Sequence, residues 1–346
     1  KTGRIPTVLQ RASSAHFARW RHTVRNRCRN YPPPCRPPPI PVEISLPWAV
    51  PVTRGSLNNN SPCTGRFPVE HVDDYAENLP AQWVQHGGVL LPMYQAEALW
   101  INFDSHYPCA VKVAAGKVNA VSGKSWSNEL RRSPQDYIVS SEQPWLDGFN
   151  VAEGLIRQFV AMPLGDGYTA EEQITGESEH GGLQIVVYPM KAEVYAKYFE
   201  RQTKDDFFFE DVQCCMDVSA NMGLAPGGLM RQEIYEDEYG IDAWDTENSS
   251  RCFVHLVNSL QFHAITGRQP PHEPPTAREY TEAGLPWFEY YSDAKAVAGS
   301  GVLAKMKGIA AKMAEKEGKP LVDNDPLTPA NIKQISTKGV VREGEF

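Results

Sequence analysis

Every hydrophobic run in this chain is short: Pro, Gly, Lys or Glu cuts each one before the roughly 20 consecutive apolar residues that a bilayer-spanning helix needs. Runs of this length suit strands that cross a sheet once and turn. Val89-Leu90-Leu91, the stretch 98–103 and Ala110-Val111-Lys112-Val113 read as strands. Gly116-Lys117, leading into Val118-Asn119-Ala120-Val121, reads as a hairpin turn whose glycine supplies the positive φ. Further strands are expected at 136–139, 155–162 and 183–188. Short strands with glycine-marked turns imply an α+β, β-rich fold, with an antiparallel sandwich or barrel-like core.

Helices are fewer and peripheral. Thr169-Ala170-Glu171-Glu172 has capping-box spacing, with Gly176 as a stop. Over 191–204, Val194, Tyr195, Tyr198 and Phe199 share one helical face. Thr276-Ala277-Arg278-Glu279 repeats the capping box ahead of Gly284. A long C-terminal helix is predicted over 293–316, with Leu303, Met306, Ile309 and Met313 apolar. His255 and His263 fall on a predicted pair of strands, 252–257 and 260–265. On the first of these Arg251, Phe253 and His255 share a face.

Charge divides the chain. Residues 1–42 hold nine Lys or Arg and no Asp or Glu, so the remainder carries 25 basic against 42 acidic residues, a formal −17. The sequence therefore reads as a basic, proline-rich arm over 1–46, an irregular Pro/Asn/Gly-rich wrap over 47–81, and a β-rich core over 82–204. An α/β continuation of the same domain, or a second subdomain, follows over 205–317, and then a tail over 318–346. Within the arm, Leu9, Phe17, Trp20, Val24 and Cys28 take one side of a helical wheel and Arg11, Arg25 and Arg29 the other, as in a mitochondrial transit peptide. Tyr31-Pro32-Pro33-Pro34 and Pro37-Pro38-Pro39 then force an extended spacer. Seven cysteines with no CxxC pair point to an intracellular, reducing compartment, cytoplasm or mitochondrial matrix.

The motifs that could carry chemistry fail on inspection. Ser122-Gly123-Lys124-Ser125 resembles the end of a P-loop, but the earlier glycine is replaced by Val118. Gly176-Glu177-Ser178-Glu179-His180 resembles a nucleophile elbow, but His180 stands where the second glycine is needed. The densest acidic stretch, 233–245, holds Glu233, Glu236, Asp237, Asp242 and Asp245 with Trp244 and does not fit an EF-hand. Carboxylates beside aromatic rings would suit a hard cation or a sugar, with His255 or His180 as a further ligand. Two histidines alone are too few for zinc.

Three segments carry a resemblance: Met93-Tyr94-Gln95-Ala96-Glu97-Ala98-Leu99-Trp100, 157–165 from Arg157 to Gly165, and Gly284-Leu285-Pro286-Trp287-Phe288-Glu289-Tyr290-Tyr291. Over about 86–293 the chain resembles a family of proteins from bacteria and some eukaryotes to which no activity is assigned. Some members are labelled integral membrane proteins, a label that the short apolar runs here contradict. The resemblance implies no residue roles.

The first expectation is thus a non-enzymatic binding or assembly subunit, without a cofactor and without membrane insertion. It would hold a protein partner, or a second copy, through residues 1–46, with Arg19, Arg21, Arg25, Arg27 and Arg29 as contacts. Nucleic acid is disfavoured by the acidic body. The alternative is an enzyme or a carbohydrate- or metal-binding protein using 233–245 with His255 or His180.

Overall fold

The structure is a computed structural model that describes residues 42–45, 48–49, 67–105, 107–199, 222–269, 287–291, 294–318 and 332–336. Residues 1–41, with all five candidate arginines, lie outside the described residues, as does the capping box at 276–279. The main strands are β1 (Val89–Met93), β2 (Cys109–Ala115), β3 (Gly148–Ala152), β4 (Leu155–Pro163), β5 (Leu183–Pro189), β6 (Met222–Arg231) and β7 (Ser250–Asn258). The α-helices are α1 (Ala81–His86), α2 (Ala170–Thr175), α3 (Ala192–Phe199), α4 (Ser259–Thr266) and α5 (Ile309–Glu317).

Two sheets face each other. The larger has seven strands in the order Glu70–His71, β1, β7, β5, β2, Val118–Asn119, with Ile138–Val139 also on β2. Its pairings are antiparallel except β7 with β1, which run parallel with Val254 opposite Val89. The smaller is built on β4, which pairs with β6 along one edge and with β3 and Ala98–Leu99 along the other. Alternation along the strands makes the core. Val111 and Val113 of β2, Ile185 and Val187 of β5, and Val254 and Leu256 of β7 point inward. They meet Phe149, Phe159, Ala161 and Leu224 of the smaller sheet. Each such side chain contributes roughly 1.5–3 kcal/mol when fully buried. Strands from both sides of residue 205 interleave, since β6 pairs with β4 and β7 lies between β1 and β5.

The β-rich sandwich core with peripheral helices agrees with the alternation in the sequence, and several boundaries move. The stretch 98–103 divides at Trp100, so that Ala98–Leu99 joins the smaller sheet and Ile101–Ser105 pairs with Val42–Ser45 and Trp145–Leu146. Phe67 and Val72 are already buried, so the compact part begins before Gln82. The segment expected as a strand over 260–265 is helix α4. There Phe262 packs with Val72, Leu90 and Val257, and Ile265 lies against the same cluster, a three-residue spacing that a helix and not a strand puts on one face. The C-terminal helix is present but starts at Ile309, after a 3-10 turn over Leu303–Lys305. Before it the chain passes close beside β3 at Gly299, where a Cβ would come 2.0 Å from Ala152 Cα and only glycine fits.

What positions the site is the outer face of the larger sheet, and it is covered at both ends. At the β2–β5 end, Ala110, Val186 and Tyr188 lie under α3 and the loop carrying Tyr239, Ala243 and Trp244. At the β1–β7 end, Leu90 and Val257 lie under α1, α4 and the 3-10 turn Val72–Asn78. From one cover to the other the face carries His255, Phe253 opposite Gln184, and Arg251 and Lys112 on either side of Val186.

Candidate functional site

This strip is a row of stacked groups, two of them lying under side chains of α1. Trp83 stacks on His255 with ring centroids 4.7 Å apart. His86 stacks on Phe253 at 4.9 Å. The Arg251 guanidinium lies 5.3 Å from the Phe253 ring and 5.8 Å from that of Trp126. The Lys112 ammonium lies 5.5 Å from the other end of the row, also at Trp126. Such contacts are worth about 0.5–1 kcal/mol each at exposed sites. Alternation puts Arg251, Phe253 and His255 on this face of β7, while Trp83 and His86 are three apart on α1 and so share a helical face. Gly88 lets α1 come down onto the strand: its φ is +95° and a Cβ there would lie 2.2 Å from the Phe253 carbonyl oxygen.

At one end the strip deepens into a small cleft lined by His86, His180, Gly181, Leu183, Gln184, Phe253, Val254 and His255. His255 is buried, and its Nε2 lies 2.9 Å from the Gly87 carbonyl oxygen. Burial holds its imidazole below the usual histidine value, with the nearby His86 acting in the same direction against the Gly87 hydrogen bond. His180 has Nδ1 3.4 Å from Nε2 of Gln82. Its Nε2 is sealed from solvent and has no hydrogen-bond partner; the Glu179 carboxylate stands 3.5 Å away. Beneath this loop Glu171 is buried, and its Oε2 accepts from the backbone N–H groups of His180 at 3.3 Å and Gly181 at 3.0 Å. Glu171 Oε1 has no partner.

The charges along the strip are already engaged. Lys112 is buried and donates to Asp136 at 2.7 Å and to the Glu129 carbonyl. Arg251 donates to Asn128. Lys117, beside the cleft, is flanked by Glu177 at 3.6 Å and Glu179 at 3.5 Å.

The acidic segment contributes differently. Asp237 is buried, with Oδ2 accepting from Tyr137 Oη at 2.6 Å and Trp244 Nε1 at 2.9 Å. Its Oδ1 accepts from the amides of Tyr239 at 2.9 Å and Gly240 at 3.2 Å. Around this hub Tyr239 meets Trp244 edge-on at 6.0 Å and Tyr198 at 5.3 Å, and Tyr195 bridges Tyr107 and Phe199. Glu233 accepts from Tyr235, Glu236 pairs with Lys295 at 2.7 Å, Asp245 accepts from the amides of Glu247 and Asn248, and Asp242 is exposed. These carboxylates turn to separate partners, and none of them lines the histidine cleft. The structure thus gathers His180 and His255 and leaves 233–245 as an aromatic, polar patch beside the sheet. His263, expected on a strand, sits on α4 with Nδ1 2.9 Å from the Arg268 carbonyl oxygen.

Among the described residues no three His, Cys, Asp or Glu side chains come together as a metal would need. None of the described helices is long and apolar enough to cross a membrane. Cys109 and Cys252 are free thiols, each pushed up to about 12 by burial, and so are unreactive at neutral pH. Reading the sequence missed Trp83, His86, Trp126 and Gln184. The Trp83/His86 spacing was visible, but its partner face on β7 was not.

No family model matches the chain, and no curated protein or solved structure matches it either.

Proposed function

We propose that this protein binds an uncharged, ring-bearing ligand, a carbohydrate, along the open strip of its larger sheet, as a binding protein or as an enzyme acting on that ligand. The row of rings from Trp83 to Trp126, partly exposed along one sheet face, carries the reading. Ring faces and edges suit the apolar side of a pyranose, and the amides of Gln82, Asn128 and Gln184 suit its hydroxyls. Electrostatics favours a neutral ligand over a polyanion. Lys112 is buried in an ion pair and Lys117 is offset by two glutamates, so that Arg251, hydrogen-bonded to the neutral Asn128, brings a single further cation to release counterions from nucleic acid. This is the alternative that the sequence offered, moved from 233–245 to the strip. The arm-anchored assembly has no described residue behind it. We propose separately that segments 93–100, 157–165 and 284–291 mark membership of the family they resemble, which supplies no ligand.

The test is a glycan array followed by calorimetry on the full chain and on Trp126→Ala and Phe253→Ala. The expected result is binding of one class of neutral oligosaccharide that weakens at least tenfold in each variant. Binding that both variants keep unchanged, or binding of single-stranded nucleic acid alone, overturns the reading.

A further inference from the structure

The cleft at the end of the strip has a hydrogen-bond polarity that follows from its surroundings. A backbone carbonyl can only accept, so the contact of His255 Nε2 with Gly87 at 2.9 Å places the ring proton on Nε2. Nδ1 of His255 is then a lone-pair acceptor, and it belongs to a ring that lines the cleft. For His180 the assignment is the reverse in effect. The Gln82 amide N–H reaches its Nδ1, and the Glu179 carboxylate stands nearest its Nε2, so both neighbours favour a proton on Nε2. That N–H is sealed from solvent without a hydrogen-bond partner, a donor left unsatisfied. Gln184 spends its N–H on the Gly116 carbonyl at 2.8 Å, which leaves its amide oxygen as a second acceptor.

We propose that the cleft grips one hydroxyl of the ligand, accepted by His255 Nδ1 and donated to by His180 Nε2. This rests on the carbohydrate reading and names the group by which the ligand is held. An acceptor and a donor lining the same small cleft match a group that both donates and accepts. An anion would face the His255 lone pair, and a metal ion would need lone pairs from both rings where His180 offers a proton. Trp83 covers one face of the His255 ring, and the charged or titratable groups around it are His86 on α1, His180 with Glu179 on the loop, and Arg251 along β7.

Long-range imidazole 15N–1H correlation spectra of the labelled full chain read both tautomers directly. The same sample is then titrated with neutral cello-, malto- and chito-oligosaccharides, inorganic phosphate and zinc chloride. The expected result is an Nε2 proton on both rings, with the binding sugar moving His255 and His180 together. His255→Phe, which keeps a ring against Trp83 and removes the acceptor, is expected to lose at least tenfold in affinity, partly restored in His255→Gln. A proton on His255 Nδ1 overturns the proposal. So do imidazoles that move with phosphate or zinc and not with any sugar. A sugar that shifts the Trp126 indole while leaving both imidazoles untouched overturns the hydroxyl grip and leaves the strip reading standing. A panel in which no sugar moves either region overturns both.

Discussion

Asp237 and His180 sit on loops flanking the same sheet, each rich in groups that could bind a ligand, and they differ in what is left over. The two oxygens of Asp237 accept four hydrogen bonds from its own chain, whereas His180 keeps a buried N–H without a partner. The acidic stretch has the greater density of chemistry-bearing residues, and most of its bonding capacity is consumed in holding Trp244, Tyr137 and Tyr239 together. The histidine cleft has fewer such groups and more unused capacity. Residual bonding capacity, rather than density of carboxylates, is what marks a place for a ligand.

The sharpest way to break this comparison is to remove the hub. Asp237→Ala leaves a buried phenol, an indole N–H and two amides without their acceptor. A loss of about 3–5 kcal/mol in urea denaturation is expected, with ligand affinity unchanged in the folded fraction. A stable variant that fails to bind sugar would move the site back to 233–245. Next in size is Gly88→Ala, which combines a positive φ with a clash against the Phe253 carbonyl. It should cost about 2–3 kcal/mol by lifting α1, and, unlike the first change, it should also weaken ligand binding. Equal stability and unaltered affinity would show that α1 does not set the strip.

A smaller effect follows from acid. The His255 imidazole is held below its ordinary value, so it stays neutral at pH 7 and gains its proton only under more acidic conditions than a free histidine does. Sugar affinity should be flat from pH 8 to about 6.5 and fall below that, as Nδ1 ceases to accept. His255→Gln should abolish the fall, and a profile unchanged by that substitution would remove His255 from the contact.

The sandwich was legible because β2, β4 and β5 repeat apolar residues at period two, with a glycine at the Gly116 turn. The strip was half legible. Arg251, Phe253 and His255 announce a common face by alternation alone, but which face is left open depends on where α1 and α3 lie. That in turn depends on the parallel pairing of β7 with β1, between residues remote in the chain. Helix α4 was misread because Leu260 and Phe262 alternate as strand residues do, while Phe262 and Ile265 offer only a single helical step of three residues. The acidic segment drew attention by composition, and composition does not record that Tyr137 and Trp244 would use up Asp237.

Asp147 gives the comparison an intermediate case and the smallest expected effect. Its Oδ2 accepts from Trp145 Nε1 at 2.9 Å and from Gln232 Nε2 at 2.7 Å, so one oxygen carries the bonding that Asp237 spreads over two. Burial raises its carboxyl to about 7, against the lowering effect of the Trp145 hydrogen bond. The folded chain therefore keeps a proton that the unfolded chain loses near pH 4. Stability from this group is complete below that value and is lost as pH rises through about 7. Glu97, buried with its carboxyl raised well above the ordinary range, adds a dependence of the same sign. Asp147→Asn keeps an acceptor for both donors and cannot ionise. Urea midpoints between pH 5 and 8 should fall in the parent chain and fall less steeply in this variant, with the two closest at acidic pH. Parallel slopes would mean that Asp147 is already ionised in the folded chain, with Trp145 and Gln232 donors enough to hold the charge on one oxygen.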